Sequence, residues 1–112
     1  MSDFLLVFRG GDTPTAPSEA QAHMQKWFAW MKELKEKGQF KSGEPLERGG
    51  KVILGKRKAV TDGPYAEAKD LVGGYLLVTA KDLPHAVEIS KGCPILEVDG
   101  SVEVRPIAII NM

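Results

Sequence analysis

The residues best suited to chemistry lie in one stretch near the middle of the chain, TDGPYAEAK at residues 61–69. Pro64 disfavours helical conformations at the glycine before it, and the Asp62 carboxylate can accept hydrogen bonds from backbone amides two residues on. One interpretation is therefore a rigid turn that ends a strand. The other is that this turn directs Asp62 between a sheet and its helices, where desolvation would suit the carboxylate to the role of general base.

Three further polar residues of the same stretch are candidates for a ligand site: Tyr65, Glu67 and Lys69. Glu67 and Lys69 are two positions apart, so they share a side of an extended segment and diverge in a helical turn. We predict that residues 65–71 form a loop at the rim of a cleft. The charges then either line the cleft or hold the shape of the loop.

A second charged pair, Glu103 and Arg105, alternates with two valines near the end of the chain. One face of the strand predicted there is therefore charged and the other is apolar. If the charged face lies under a helix, Arg105 needs a partner, which would be Glu103, Asp62 or a ligand carboxylate. We predict that Asp62 and Arg105 share one pocket on the helix-covered side of the sheet, with Arg105 as an anion anchor.

One histidine and three large aromatic residues complete the set of site candidates. His23 lies on the flank of the first predicted helix with Trp27 and Trp30. It could reach a cleft there and transfer protons near neutral pH, or it could be half-exposed packing. We expect Trp27, Trp30 and Tyr75 to form the walls of the pocket.

No metal or cofactor is expected. The cysteine and histidine residues do not have zinc-site spacing, and the glycine pairs lack a phosphate-loop pattern. Cys93 follows the glycine that ends the second predicted helix, where the negative end of the helix dipole disfavours a thiolate. We predict that this thiol is buried and unreactive.

The hydrophobic periodicity predicts a single α+β domain over residues 1–112 in the order β-α-β-β-(loop)-β-α-β, which is ferredoxin-like. The first helix is expected to be capped by Ser18 and Gln21 and the second by Asp82. The predicted elements are a strand at 3–9, a helix from Ser18 to Gly38, and a strand at 39–44; then one bulged strand from 52–54 and 59–61, a strand at 73–80, a helix at 83–91 and a strand at 101–107.

Two strands of this sheet, at Phe4–Phe8 and Gly74–Ala80, are apolar on both faces. Two helices that each join strands of one sheet cover only one of its faces. A sheet with an uncovered apolar face requires a second cover. We therefore predict a homodimer in which two sheets pack face to face.

Several motifs together resemble one family. They are TDGPYAEAK, Gly73-Gly74-Tyr75, Cys93-Pro94 and GSVEVRP at 100–106, and they are similar to the DGPF group of YCII-related proteins, with Tyr65 where that group has phenylalanine. The resemblance implies a dimeric α/β barrel with a largely unassigned role. Some members are encoded beside extracytoplasmic-function sigma factors, which implies regulation. Related proteins outside the group use a first-helix histidine with an aspartate, and counting back from Gly38 that position is Trp27 here.

Composition excludes several function classes. The chain has 15 basic and 15 acidic residues and so offers no electrostatic footprint for nucleic acid or an anionic membrane. A single cysteine fits a reducing compartment, and the apolar run at residues 4–8 is too short for a signal peptide, so a cytoplasmic protein is expected.

Two functional hypotheses follow from these residues. The first is a homodimer that binds a small anionic ligand between sheet and helices, linked to sigma-factor regulation. The second is a cofactor-free acid/base enzyme in which Asp62 is the base and Arg105 anchors the substrate. Because the sequence lacks a complete set of nucleophile, base and orienting residue, binding is favoured.

Overall fold

The computed structural model describes residues 1–12, 14–63 and 70–111. These residues form an α+β fold with six strands, two α-helices and one 3-10 helix. In chain order the elements are β1 (Ser2–Gly10), α1 (Pro17–Glu36), β2 (Phe40–Pro45), β3 (Gly50–Leu54), β4 (Ala59–Gly63), β5 (Val72–Ala80), α2 (Leu83–Ser90), the 3-10 helix (Pro94–Val98) and β6 (Gly100–Pro106). No helix among them is long and apolar enough to cross a membrane.

The main sheet has four strands in the order β2-β5-β1-β6, and each neighbouring pair is antiparallel. The two β-α-β units, β1-α1-β2 and β5-α2-β6, therefore interleave, and this confirms the ferredoxin-like prediction. In the register, Leu6 lies opposite Leu76 and Val104, while Leu5 lies opposite Leu77 and Arg105. Because side chains alternate along a strand, these two rows lie on opposite faces of the sheet.

The hydrophobic core lies between the sheet and the helices. The buried side chains come from every second position of β1 and β5 and from the inner sides of the helices. They include Phe4, Leu6, Phe8, Leu76, Val78, Trp30, Leu34 and Ala86. Val102 and Val104 of β6 pack against this cluster while remaining partly exposed. The predicted apolar face of β6 is thus the face that meets the helices.

Among the described residues, no helix lies over the opposite face of the sheet. We call it the open face; its central residues are Leu5, Val7, Tyr75 and Leu77, and all four are half-buried in the single chain. The two-sided apolar character predicted for β1 and β5 is therefore present, and in the described structure only one side of it is covered.

The bulged third strand predicted from residues 52–61 is wrong. Residues 50–63 form a separate antiparallel hairpin, β3-β4, with Gly50 opposite Gly63 and Leu54 opposite Ala59. Gly55 and Lys58 both have positive φ, 64° and 56°, and the Lys58 amide donates to the Gly55 carbonyl at 3.1 Å. A four-residue turn with two left-handed residues reverses the chain where a bulge would only have bent it.

The predicted ends of the helices agree with the structure at Asp82 and Gly38 and disagree at Ser18. Asp82 caps α2 by accepting a hydrogen bond from the His85 amide at 2.9 Å. After α1, Gly38 has φ 71° and the Gln39 amide donates to the Leu34 carbonyl at 2.8 Å, as a Schellman motif requires. The predicted Ser18 cap is wrong, because Pro17 already occupies the first helical turn and the N-cap is Ala16.

Candidate functional site

The residues proposed as one site from the sequence lie in three separate places. Glu103, Arg105 and Tyr75 lie on the open face. Trp27 and Trp30 lie on the other side, where they contact Phe8. Asp62 lies in the hairpin. Tyr65, Glu67 and Lys69 fall outside the described residues.

The prediction that Asp62 enters a pocket under the helices is wrong. Asp62 lies in β4 opposite Lys51, whose ammonium group it pairs with, and its side chain is 90% exposed. Its strand belongs to the separate hairpin and not to the main sheet, so the carboxylate is carried away from the helices. Exposure and an ion pair both remove the desolvation that a general base there would need.

The predicted location of Arg105 is also wrong. Arg105 lies opposite Leu5 on the open face, and its side chain is 67% exposed. Its Nη1 donates to Glu103 Oε2 at 3.1 Å, so the partner is one of those anticipated from the sequence. The alternation along β6 was correctly predicted, but the apolar face turns toward the helices and the charged face away from them.

Sequence reasoning missed Arg9, which completes a three-residue charged group with Glu103 and Arg105. Arg9 Nη1 donates to Glu103 Oε1, so one carboxylate bridges two guanidinium groups. Hydrogen bonds from Arg105 and then Arg9 hold the pKa of Glu103 below its ordinary value. The signal for Arg9 was its place in β1, two residues after Val7 on the same face. The group carries a net charge of +1.

The other end of the open face carries a smaller polar group. The Asp3 carboxylate accepts hydrogen bonds from Lys41 Nζ at 2.7 Å and from Thr79 Oγ1 at 3.2 Å. The bond from Lys41 is the main reason that the pKa of Asp3 is lowered. The apolar centre of the open face is therefore bordered by paired charges at both ends, which is the pattern of a protein interface with a polar rim.

On the helix-covered side, His23 and Trp27 form a hydrogen-bonded pair one turn apart in α1. Trp27 Nε1 donates to His23 Nε2 at 3.1 Å. An indole N–H can only donate, so Nε2 is the acceptor and a neutral His23 carries its proton on Nδ1. Nδ1 has no hydrogen-bond partner among the described residues. The structure thus presents a half-buried imidazole with one ring nitrogen occupied and one donor available.

An aromatic cluster holds this pair against the sheet. The Trp27 ring packs edge-on against Phe8 at 5.1 Å between centroids and against Trp30 at 5.9 Å. Both contacts are in the favourable T-shaped range. Phe8 lies in β1 opposite Gly74 of β5, close to where the Gly10 amide donates to the Leu71 carbonyl at 3.1 Å. The His23–Trp27 pair therefore lies toward the end of the sheet at which β5 begins.

Gly74 is a point of close contact between two strands of the main sheet. A Cβ atom at Gly74 would lie 3.0 Å from the Glu44 carbonyl oxygen, so the glycine allows β2 to approach closely. At Gly73 no atom of residues 1–12, 14–63 or 70–111 lies within 4 Å of such a position. The room next to β5 is thus at residue 73 and not inside the sheet.

Two surface grooves lie on the helical side of the described structure, and neither includes Asp62 or Arg105. The larger, about 540 Å³, lies between α1 and the segment after α2. The smaller, about 270 Å³, lies between α1 and α2 and is bordered by Trp30 and His85. The sequence-predicted pocket joining Asp62 to Arg105 is thus absent from the part of the chain that the structure describes.

Cys93 is buried, with 2% of its surface exposed. The predicted burial of this thiol is confirmed, and burial raises its pKa to about 12, which disfavours a thiolate at neutral pH. The dominant cause is desolvation; the sequence argument relied on the helix dipole. No three His, Cys, Asp or Glu side chains are grouped as a metal ion would require within residues 1–12, 14–63 and 70–111.

Comparisons with known proteins agree with this architecture. A solved structure that matches is 5-chloro-2-hydroxyhydroquinone dehydrochlorinase (TftG) from Burkholderia phenoliruptrix AC1100, in complex with 2,5-dihydroxybenzoquinone. The match covers 94% of this chain and 93% of that chain at 15% identity, with a TM-score of 0.52, so it shows a shared fold. Comparison with curated proteins finds no match. Residues 5–111 match the YCII-related domain, and the chain therefore belongs to the YCII-related family.

Proposed function

We propose that this protein is a face-to-face homodimer that binds a small anionic organic molecule beside the His23–Trp27 pair. The observation that carries the ligand site is the hydrogen bond from Trp27 Nε1 to His23 Nε2. It leaves Nδ1–H of a neutral His23 as a donor for a ligand oxygen. The adjacent indole offers an aromatic surface for a flat ring. This geometry belongs to the neutral imidazole, because a protonated one carries a hydrogen on Nε2 and cannot accept from Trp27.

The dimer is supported by the open face. Leu5, Val7, Tyr75 and Leu77 form a continuous apolar patch that the helices do not cover. If the same patch of a second copy covers it, the apolar patches of both copies are buried at once, since a two-fold interface uses identical surfaces. The paired charges at Arg9–Glu103 and Lys41–Asp3 then lie at the rim.

The class of ligand is supported by chemistry on this chain and by one similar fold. TftG is described in complex with 2,5-dihydroxybenzoquinone, a flat ring whose acidic hydroxyl groups ionise readily. A ring of this type matches the surroundings of His23, an aromatic face next to a hydrogen-bond donor. Bonds from a donor to a charged oxygen contribute about 1.5–3 kcal/mol. This site is on the helix-covered side of the sheet, and it does not use Asp62 or Arg105.

The enzymatic alternative also relies on His23. A half-buried imidazole with a defined tautomer could donate its Nδ1–H hydrogen bond to an oxyanion that develops on a small ring compound. The Trp27 bond does not favour base catalysis, because Nε2 is occupied and a neutral Nδ1 already holds its proton. Asp62, the base proposed from the sequence, is exposed and paired with Lys51. This is the reason that we place binding before catalysis.

The test is isothermal titration calorimetry with 2,5-dihydroxybenzoquinone and with benzoate as two anionic ring probes. We expect His23→Ala to weaken binding at least tenfold, and the matched control His85→Ala to change it less than twofold. His85 is the only other histidine in the chain, and its Nδ1 accepts from the Lys81 amide. Binding that is unchanged in His23→Ala, or no binding of either probe, would contradict the proposal. Turnover of a bound ring compound that His23→Ala abolishes would favour the enzyme.

The proposal extends to location and regulation. The protein would be cytoplasmic, and an extracytoplasmic-function sigma factor would respond to whether the ligand is bound, in line with the regulation that the family resemblance implies. Transcription from a promoter of that sigma factor, measured in vitro with and without the purified protein, tests this extension. An identical transcript yield in both reactions would contradict the proposed regulation but not the proposed ligand binding.

A further inference from the structure

We propose that the β3-β4 hairpin is an arm with which each copy of the chain packs against the other copy in the dimer. This inference rests on the dimer proposed above. Residues 50–63 leave the main sheet after β2 and return to β5, so the hairpin projects from the end of the sheet at which Arg9 and Glu103 lie on the open face. An arm at that position starts at the edge of the surface that the second copy would cover.

The hairpin has little support from its own chain. Among the described residues it forms a two-stranded sheet of its own and makes at most marginal contact with the other elements. A two-stranded hairpin alone is at best marginally stable in water. A regular ladder from Gly50–Gly63 to Leu54–Ala59 therefore indicates a segment that packs against something in the assembled protein.

One side of the hairpin carries an exposed apolar pair beside the Lys51–Asp62 ion pair. Ile53 and Val60 lie directly opposite each other, so their side chains share a side, and they are 67% and 60% exposed. Leu54 on the other side is 44% exposed. Cross-strand pairs of β-branched residues stabilise a sheet, and two large ones left in water form a patch that favours association.

The charge of the hairpin indicates what it binds. Residues 50–63 contain four basic residues, Lys51, Lys56, Arg57 and Lys58, and one acidic residue, Asp62, so their net charge is +3. The rest of the chain has 11 basic and 14 acidic residues and a net charge of −3. The remainder of the chain is thus opposite to the hairpin in net charge, as attraction to a second copy requires. Glu44, which lies opposite Tyr75 and is exposed, is an acidic residue on the open face itself.

This complementarity makes a second copy the occupant that we propose. Each hairpin would lie with Ile53 and Val60 against the border of the partner's open face, and its basic tip would meet exposed acidic side chains such as Glu44. In a two-fold dimer the contact occurs twice, so two weak arms reinforce one sheet-to-sheet contact.

The first experiment measures the dimer dissociation constant by sedimentation equilibrium. Residues 51–62 are replaced by Asn-Gly, which closes the facing residues Gly50 and Gly63 with a two-residue hairpin turn. We expect the dissociation constant to rise at least tenfold while the far-UV circular dichroism of the main sheet and helices is kept. Ile53→Asp is expected to act in the same direction. The matched control is Phe28→Asp, an exposed apolar residue on α1, which is expected to change the constant less than twofold.

The second experiment uses the unaltered protein, so it does not depend on a variant that folds. Amide hydrogen exchange is followed at concentrations below and above the dimer dissociation constant. We expect residues 51–62 to gain at least tenfold protection in the dimer. Equal exchange at both concentrations, or a shortened variant that dimerises like the parent, overturns the arm. A parent chain that is a monomer at all concentrations overturns the proposed dimer itself. A hairpin that instead binds an added acidic polymer without affecting the dimer also overturns the inference.

Discussion

Glu103 accepts a hydrogen bond from Arg105, two residues further along β6, at 3.1 Å on the open face of the sheet. Arg9 of the neighbouring strand donates to the other oxygen of the same carboxylate. This arrangement converts a pair that the sequence suggested as a ligand anchor into part of the sheet's own polar border. Both arginines already have a carboxylate partner before any anion arrives.

The first prediction concerns acid. The pKa of Glu103 is lowered in the folded protein by Arg105 and Arg9, so folding favours the charged carboxylate. Its stabilising effect is present above the unfolded pKa, about 4.3, and is lost as pH falls through the lower folded pKa. We expect the free energy of unfolding to decrease as pH is lowered below about 5. Glu103→Gln should make that decrease smaller. Urea denaturation from pH 3 to pH 7 measures both, and parallel curves for the two proteins would contradict this role.

The second prediction concerns Asp62 and Arg105. Both side chains are mostly exposed, and they have different partners: Lys51 for Asp62 and Glu103 for Arg105. Neither substitution should therefore leave a buried charge unpaired. We expect Asp62→Ala and Arg105→Ala each to change the free energy of unfolding by less than about 0.5 kcal/mol. The double variant should equal the sum of the two within about 0.5 kcal/mol. Chemical denaturation of the three variants measures this. Losses of several kcal/mol that do not add would restore a shared buried site.

The sequence could predict the main sheet because the periodicity of β1, β5 and β6 is strong and each has one continuous apolar face. The prediction for residues 52–61 was wrong because their pattern has two interpretations. Apolar residues on both sides of a short interruption are equally compatible with one bulged strand and with two paired strands. The conformations of Gly55 and Lys58 decide between them, and Lys58 has a left-handed conformation that its residue type does not favour.

The site was less predictable for a different reason. Alternation shows that Glu103 and Arg105 share a face, but which face meets the helices depends on the register between β6 and β1. Asp62 was assigned to the main sheet with its strand, so its misplacement followed from the strand error. The His23–Trp27 bond joins two residues that the sequence already placed on one flank, and only their geometry shows that Nε2 is occupied.

The third prediction separates the two faces of β1. Leu6 is fully buried under the helices, and Leu6→Ala should reduce the free energy of unfolding by about 2–5 kcal/mol. Leu5, its neighbour on the open face, is half-buried in one chain. We expect Leu5→Ala to raise the dimer dissociation constant while leaving the secondary structure unchanged. Sedimentation and thermal denaturation of both variants measure the difference. A Leu5→Ala protein with an unchanged dimer would contradict the face-to-face arrangement.

The fourth prediction concerns Cys93. With a thiol pKa of about 12 and 2% exposure, it should be almost entirely protonated and inaccessible at neutral pH. We expect a disulfide reagent to modify it at the rate of global or local unfolding, and rapidly only in denaturant. Rapid modification of the native protein at pH 7 would show that the segment between α2 and the 3-10 helix opens without unfolding.

The last prediction tests the pair on which the proposed ligand site depends. If the bond from Trp27 to His23 contributes like other hydrogen bonds, its coupling energy is about 0.5–1.5 kcal/mol. A double-mutant cycle with His23→Ala and Trp27→Phe should recover this value, since phenylalanine keeps an aromatic ring against Phe8 but has no N–H donor. The matched cycle replaces Trp30, which packs against Trp27 and has no ring contact or hydrogen bond with His23 among those that the structure describes. His23→Ala with Trp30→Phe should therefore be additive within about 0.5 kcal/mol. Additivity in both cycles would mean that the indole does not hold the imidazole, and the assignment of Nδ1–H as the donor for a ligand would lose its basis.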